Sequence, residues 1–406
     1  MIPLLIAVGI LCISIVFLPH IPDPEQKKND ISEKPSEISV EAGASQTKHT
    51  DEMLGVWVPF MASDLSGTDR SKKAFTDRMT AVMKKIHDTG ANTVIFQVHP
   101  FCDALYRSEL FPASHIISGT QGKSAGYDPL ETALETAHKY GLHFHAWINP
   151  LRIKYNETPS ELSENNPYTV WKNDGDSKND RYSLTCGNGI YLNPAYPEVR
   201  KLIIDGAREL VKNYDIDGIQ IDDYFYPDGY DDNEEYQMYC KKAGKQFLTK
   251  QQWRCENINM LVSGLYDAVH EKNDCVFGIS PQCNIDNDIN MGADVYKWCS
   301  STGYADYICP QVYVSETHPY LPYDKAVKQW REITTEKSIS LYFGIALYKI
   351  GTDSDDGTWL QKQDNLRSQL EKGKKAGADG FILYSCESLD EPAVKSELKK
   401  AELTKR

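Results

Sequence analysis

The segment DGIQIDDYFYP at 217–227 decides the fold. Its first half alternates Ile219 and Ile221 with Gln220 and Asp222, the period-two pattern of a strand whose two faces differ. Before it stands PEVRKLIIDGARELVKNY (197–214), an amphipathic stretch of helix length that opens on proline and reaches the strand through a very short connection. After it, a long polar loop leads to another helical stretch beginning near Lys250. Helix, short turn, strand, long loop and helix are one stretch of a strand–helix alternation, and strands alternating with helices build βαβ units with parallel strands.

The unit recurs in both directions. Upstream, GVWVPF (55–60), TVIFQVHP (93–100) and HFHAWINP (143–150) precede helical stretches at 71–89, 128–141 and 197–214. Downstream, VFGISP (276–281), YADYICPQVY (304–313), LYFGIALYK (341–349) and GFILYS (380–385) precede stretches at 293–299, 323–334, 360–375 and 393–403. Eight such units within 53–406 predict an α/β fold, a (β/α)8 TIM barrel with its site at the C-terminal strand ends. A doubly wound open sheet is the alternative, but no Gly-rich phosphate loop follows the first strand. Segments after the second, third, fourth and seventh strands are long, whereas helix-to-strand connections are short. Long βα loops raise a cleft on one face of the barrel.

The 406 residues carry 58 acidic and 44 basic side chains, a net charge of −14. Such a balance argues against nucleic acid, whose phosphates are bound by clustered Lys and Arg. With 41% hydrophobic and 25% charged residues the composition is that of a globular protein. The 24 Tyr and 7 Trp suit stacking on a saccharide as well as packing a core. Ten cysteines are scattered without a CxxC pair, so mostly reduced structural thiols are expected, with one or two disulfides as the alternative.

Residues 2–18 (IPLLIAVGILCISIVFL) are uncharged and apolar, longer than a signal-peptide core and near the lower limit for a membrane span. They predict a signal anchor at 1–18, with the catalytic part outside the cytoplasm and tied to the membrane. No basic residue precedes the run, and Lys27 and Lys28 follow it, an orientation signal opposed to export. Residues 19–52, rich in Glu, Lys, Ser and Pro, read as a flexible tether, and 53–406 as the folded domain.

Strand parity assigns side chains to the lumen or to the helices. It turns Gln220, Asp222 and Tyr224 inward from the fourth strand, His145, Trp147 and Asn149 from the third, and Gln97 and His99 from the second. The fifth offers Ser280 and Gln282, the sixth Gln311 and Tyr313, and the seventh Tyr348. A purely structural barrel would fill these positions with Val, Ile and Leu. A ring of buried polar groups needs a ligand, water or an internal network, even where one member such as His145 is bonded to a neighbour. Asp222 is the acid that parity places in the cleft, while Asp223 should point away unless the strand twists. Loop acids able to reach the same centre are Asp103, Glu109, Glu316 and Glu387. Cleaving a glycosidic bond requires two carboxyl groups, one protonated and one ionised.

These blocks, with YLNPAYPEVRKLI, YDIDGIQIDDYFYP, DYICPQVY and GIALYKIG among them, resemble the glycosyl hydrolase-like 10 family of bacterial envelope proteins from Leu54 to Ser388. The resemblance implies a (β/α)8 glycoside hydrolase, often exported or anchored, and for some members action on peptidoglycan strands stripped of their peptides. The family's DDYFY block falls on Asp222, Asp223, Tyr224, Phe225 and Tyr226. Its HAWxNPxR block falls on His145, Trp147, Asn149 and Arg152, its PQxY block on Pro310, Gln311 and Tyr313, and its YK on Tyr348 and Lys349. Relatives can lack an acid at Asp103, which makes it a local binder rather than a catalytic group.

The expectation is therefore hydrolysis of a β-linked amino-sugar polymer. Asp222 would be nucleophile or base and Asp223 or Glu387 the acid, with no cofactor and no resident metal. Trp147, Tyr224, Tyr313 and Tyr348 would form stacking walls. Gln97, His99, Asp103, His145, Asn149, Arg152, Gln311 and Lys349 would bind the sugar. Two alternatives stand beside it. One is a metal-dependent hydrolase or deacetylase using His99, His145 and Asp222, although His143 and His145 read as strand residues rather than an HxH ligand pair. The other is a non-catalytic glycan-binding wall protein. The acids of GTDSDDG (Asp353, Asp355, Asp356) and PDGYDDNEE (Asp228, Asp231, Asp232) read as solvated loops.

Overall fold

The computed structural model describes residues 52–272 and 274–404. The expected anchor at 1–18 and the tether up to residue 51 lie outside them. Among the described residues no helix is long and apolar enough to cross a membrane.

The described residues form eleven strands: β1 (Met53–Val58), β2 (Thr93–His99), β3 (His143–Ile148), β4 (Arg152–Tyr155), β5 (Ser183–Cys186), β6 (Gly189–Leu192), β7 (Gly218–Ile221), β8 (Val276–Ile279), β9 (Tyr307–Ile308), β10 (Ser340–Ala346) and β11 (Gly380–Tyr384). Eight close into a parallel barrel in sequence order, β1-β2-β3-β7-β8-β9-β10-β11. Each is followed by at least one helix, among them Lys72–Asp88, Pro129–Lys139, Pro197–Asn213 and Lys250–Val269. The starts are written locally. Ser71 and Asp128 accept the amides of Ala74 and Glu131, Pro197 stands in a first turn, and Thr249 with Gln252 makes a reciprocal capping box.

The eight units expected from sequence are thus present, with two differences. Strands four and six, expected over 217–227 and 304–313, shrink to β7 and β9. Pro310 has no N–H to give a ladder, and Asp222 to Tyr226 leave the sheet as a turn at its lip. The loop after β3 is not structureless: β4, β6 and β5 pair antiparallel as a small sheet within it.

Parity holds in the strand bodies. Val94, Phe96, Phe144, Ala146, Ile219 and Ile221 are fully buried against the helix ring. Inside the barrel, Trp57, Ile95, Trp147, Tyr307, Cys309 and Ile382 form a second cluster. Glycine makes room for these large rings, since a Cβ on Gly278 would stand 1.9 Å from the Tyr307 ring. The nine cysteines of the described residues are free thiols.

Candidate active site

The barrel floor is a polar chain. Trp57 Nε1 donates to Gln220 Oε1 (2.6 Å), Gln220 Nε2 donates to the Tyr307 hydroxyl (3.3 Å), and that hydroxyl meets His145 Nδ1 at 2.9 Å. His145, expected at the cleft, is therefore consumed one layer below it and is 2% exposed.

Above the floor stand the two acids that follow β7. Asp222 Oδ2 accepts Trp147 Nε1 (2.9 Å) and Asn149 Nδ2 (3.1 Å), while Oδ1 receives only the distant Tyr224 amide (3.4 Å). Asp223 does not point away. The ladder ends at Ile221, so alternation no longer governs it, and its Oδ1 accepts Gln311 Nε2 at 2.8 Å. Both carboxyls thus belong to the mouth. Burial, followed by the charge of Asp223, pushes Asp222 up to about 7 against the opposing pull of Arg152 and the Trp147 hydrogen bond. Burial also raises Asp223, with hydrogen bonds from Gln311 and Gln282 acting the other way. Two adjacent carboxyls with raised affinities for a proton can exchange one with a bound group near neutral pH.

The walls are largely aromatic. Tyr313 stands 5.6 Å from Tyr384 and 6.2 Å from Tyr348, and Trp57 lies 5.9 Å from Tyr384. Tyr348 comes from a short 3-10 turn after β10 rather than from the strand itself. Tyr224 is exposed at the rim, its ring 5.1 Å from the Arg152 guanidinium carbon. Asn149 Oδ1 receives the Arg152 backbone amide, tying the β3 end to the start of β4. Gln97 Oε1 accepts the Phe60 amide at 3.1 Å, which leaves it at the wall but engaged with the first loop.

Three expected site residues stand elsewhere, and a fourth, Glu387, stands at the edge. A register shift between Gln97 and His99 inserts an extra residue and turns His99 out of the barrel. Its ring packs 4.4 Å from Phe111, in a small crevice shared with Ile148 and Ile203, and burial lowers its pKa to about 4. Asp103 is fully buried and holds its own loop through the Phe101 amide, His115 and Gln121. Lys349 is bound to Asp355 at 2.9 and 3.0 Å and to the Tyr313 carbonyl at 2.9 Å. Glu387, in the turn after β11, acts electrostatically on the wall residue Tyr384, as Asp222 and Asp223 do, and burial raises its carboxyl against the pull of Arg78. The metal alternative fares no better as geometry. His99 lies outside the barrel, His145 in the floor and Asp222 at the mouth, each with other partners.

The remaining loop acids are also engaged or remote. Glu316 pairs with Lys362 and Lys372, and the Glu109 amide bonds Glu209 beside the outer helix Pro197–Asn213. Asp355 additionally accepts Trp359 Nε1, and Asp232 is fully buried between Arg254 and Lys250, so neither loop is merely solvated. The Lys349–Asp355 pair carries a prediction. Lys349→Met leaves the Tyr313 carbonyl without its Lys349 donor and Asp355 without its counter-charge, holding only Trp359 Nε1, and urea denaturation should show a loss of about 3 kcal/mol.

Parity applied to β1 and β11 would have found Trp57 and Tyr384, since GVWVPF and GFILYS alternate as the inner strands do. Asp288 had no such signal. It is buried on the short helix Ile285–Asn290, takes the Gln282 amide at 2.9 Å, and is held well above the usual carboxylate range by burial.

The profile of the glycosyl hydrolase-like 10 family matches residues 52–361. The chain is 34% identical over 352 residues to the glycosyl hydrolase YngK of Bacillus subtilis, covering 79% of this chain and 66% of that protein. It is 30% identical over 366 residues to the glycosyl hydrolase DigH of Escherichia coli K12, covering 83% and 81%. In three dimensions it resembles the PgaB glycoside hydrolase domain of Bordetella bronchiseptica (TM-score 0.57, 13% identity, 86% of this chain and 98% of that one). It also resembles an α-L-fucosidase of Paenibacillus thiaminolyticus (TM-score 0.53, 12% identity, 86% and 49%). At such identities these two likenesses establish the barrel alone.

Proposed function

The chain belongs to the glycosyl hydrolase-like 10 family, and on that premise we propose that it cuts a cell-wall-type polysaccharide, the peptide-free glycan strands of peptidoglycan, with Asp222 and Asp223 as its acid and base. The observation that carries this reading is the pair itself: two neighbouring carboxyls at the lip of β7, one fixed by Trp147 and Asn149 and the other by Gln311. This reverses the roles expected from sequence, because burial favours the protonated form of Asp222; its Oδ2 already accepts two donors, so the proton belongs on Oδ1. There it can be passed to a leaving glycosidic oxygen. Asp223, more exposed than Asp222, is the ionised partner that activates water or supports positive charge on the sugar. Tyr313, Tyr348 and Tyr384 supply faces for pyranose rings. The apolar run 2–18 is the reason for placing the domain outside the cytoplasm, on the side where such a polymer lies.

The test is release of reducing ends from peptide-free peptidoglycan strands by the purified protein. Release that survives Glu387→Gln and is abolished by Asp222→Asn is the expected result. Binding of the strands without any release would instead make this a glycan-binding protein and overturn the proposal.

A further inference from the structure

Arg152 is the feature of the mouth that acid/base chemistry leaves unused. Its backbone amide is held by Asn149 Oδ1 (3.0 Å), and its Nε donates to the Pro100 carbonyl (3.0 Å). Its guanidinium carbon lies 4.6 Å from the centre of the Phe101 ring and 5.1 Å from that of Tyr224. Thus the side chain is fixed at its root and flanked by two rings. Its two terminal nitrogens have no hydrogen-bond acceptor among the described residues, and no carboxylate lies within ion-pair distance of it. It stands at the same mouth as the two carboxyls, since the Asn149 that holds its amide also donates to Asp222 Oδ2 and the Tyr224 ring beside it follows Asp223 directly in sequence; its charge pulls both carboxyls down. Lys349, the other cation expected here, is neutralised by Asp355.

A guanidinium held in one orientation with a free pair of N–H groups is a receptor for a planar oxyanion. In a protein of net charge −14, with two carboxyls in the same mouth, an anionic sugar would otherwise be repelled. We propose that Arg152 is a specificity residue that binds a carboxylate carried by the sugar next to the scissile bond, so that the enzyme selects acidic amino-sugar glycans over neutral ones. This rests on the glycosidase reading above and narrows its substrate class. In peptide-free peptidoglycan the group would be the free lactyl carboxylate of the muramic acid residue.

The experiment compares two forms of one polymer: peptide-free glycan strands, and the same strands with their carboxylates converted to amides by carbodiimide and ammonia. The wild-type protein should favour the carboxylate form in kcat/KM by about 10- to 100-fold. In Arg152→Gln the ratio should fall to near one, and in Arg152→Lys, which keeps the charge but loses the fork, it should lie between. Equal cleavage of both polymers by the wild type, or an unchanged ratio in Arg152→Gln, would overturn the proposal. Because the ratio is taken within each variant, an effect of Arg152 on the carboxyl pair alone would cancel. If neither polymer is cut, the glycosidase reading fails, and the same ratio measured by equilibrium binding decides the role of Arg152 by itself.

Discussion

Asp222→Asn is expected to lower kcat/KM on a natural glycan by about a thousandfold, the scale of a lost general acid. The loss should shrink sharply on an aryl glycoside whose leaving group is a weak base, because such a group departs without a proton. The fold should not suffer. Asparagine can present its carbonyl to Trp147 and Asn149, which now donate to Asp222 Oδ2. The variant should even be the more stable protein at alkaline pH. Asp222 keeps its proton in the folded state up to about pH 7, whereas the unfolded chain loses it near the ordinary value of 3.8. The native state therefore binds more protons between those values, and the group's contribution to stability falls as pH rises through that window. Above pH 7 the deficit is complete. Asparagine removes it. Denaturation at pH 8 should thus rank Asp222→Asn above wild type, and at pH 4 the advantage should be gone. A variant that is inactive and also unstable at pH 8 would point to a structural role.

Asp223→Asn is expected to cost about a hundredfold or more on natural and activated substrates alike, since a base or charge-stabilising carboxylate is needed whatever leaves. Gln311 Nε2 would keep an acceptor in the amide oxygen, so the 2.8 Å contact survives in geometry while the charge is gone. Removing that charge also relieves Asp222, whose pKa should move down from about 7 toward the ordinary carboxylate range. Initial rates on an aryl glycoside separate the two residues. Rescue of Asp222→Asn together with no rescue of Asp223→Asn is the expected pattern, and the reverse would exchange their roles.

Much of this was readable from alternation. Where a strand is regular, period two correctly sends Ile219 and Ile221 to the helices and Gln220 and Trp147 inward, because one face meets the helix ring and the other the barrel axis. It fails where the ladder ends or slips. Asp223 lies two residues beyond the last strand residue of β7, so a turn, not a pleat, aims its carboxyl. His99 follows a register shift, and one added residue reverses its face. Composition also hides partners. Nothing in the spacing shows that Lys349 belongs to Asp355, or that His145 is taken up by Tyr307, three strands further round the barrel. The small sheet of β4, β5 and β6 escaped because four-residue strands within a long polar loop carry too few alternations to register.

The pH dependence of kcat/KM for reducing-end release tests most directly whether a protonated Asp222 drives the reaction. Such a profile reports the free enzyme's essential acid, so activity should fall tenfold per unit of pH above about 7 as Oδ1 loses its proton. Activity that holds level to about pH 9 in protein still folded there would mean that no proton leaves this carboxyl during the reaction, and the catalytic account would be wrong.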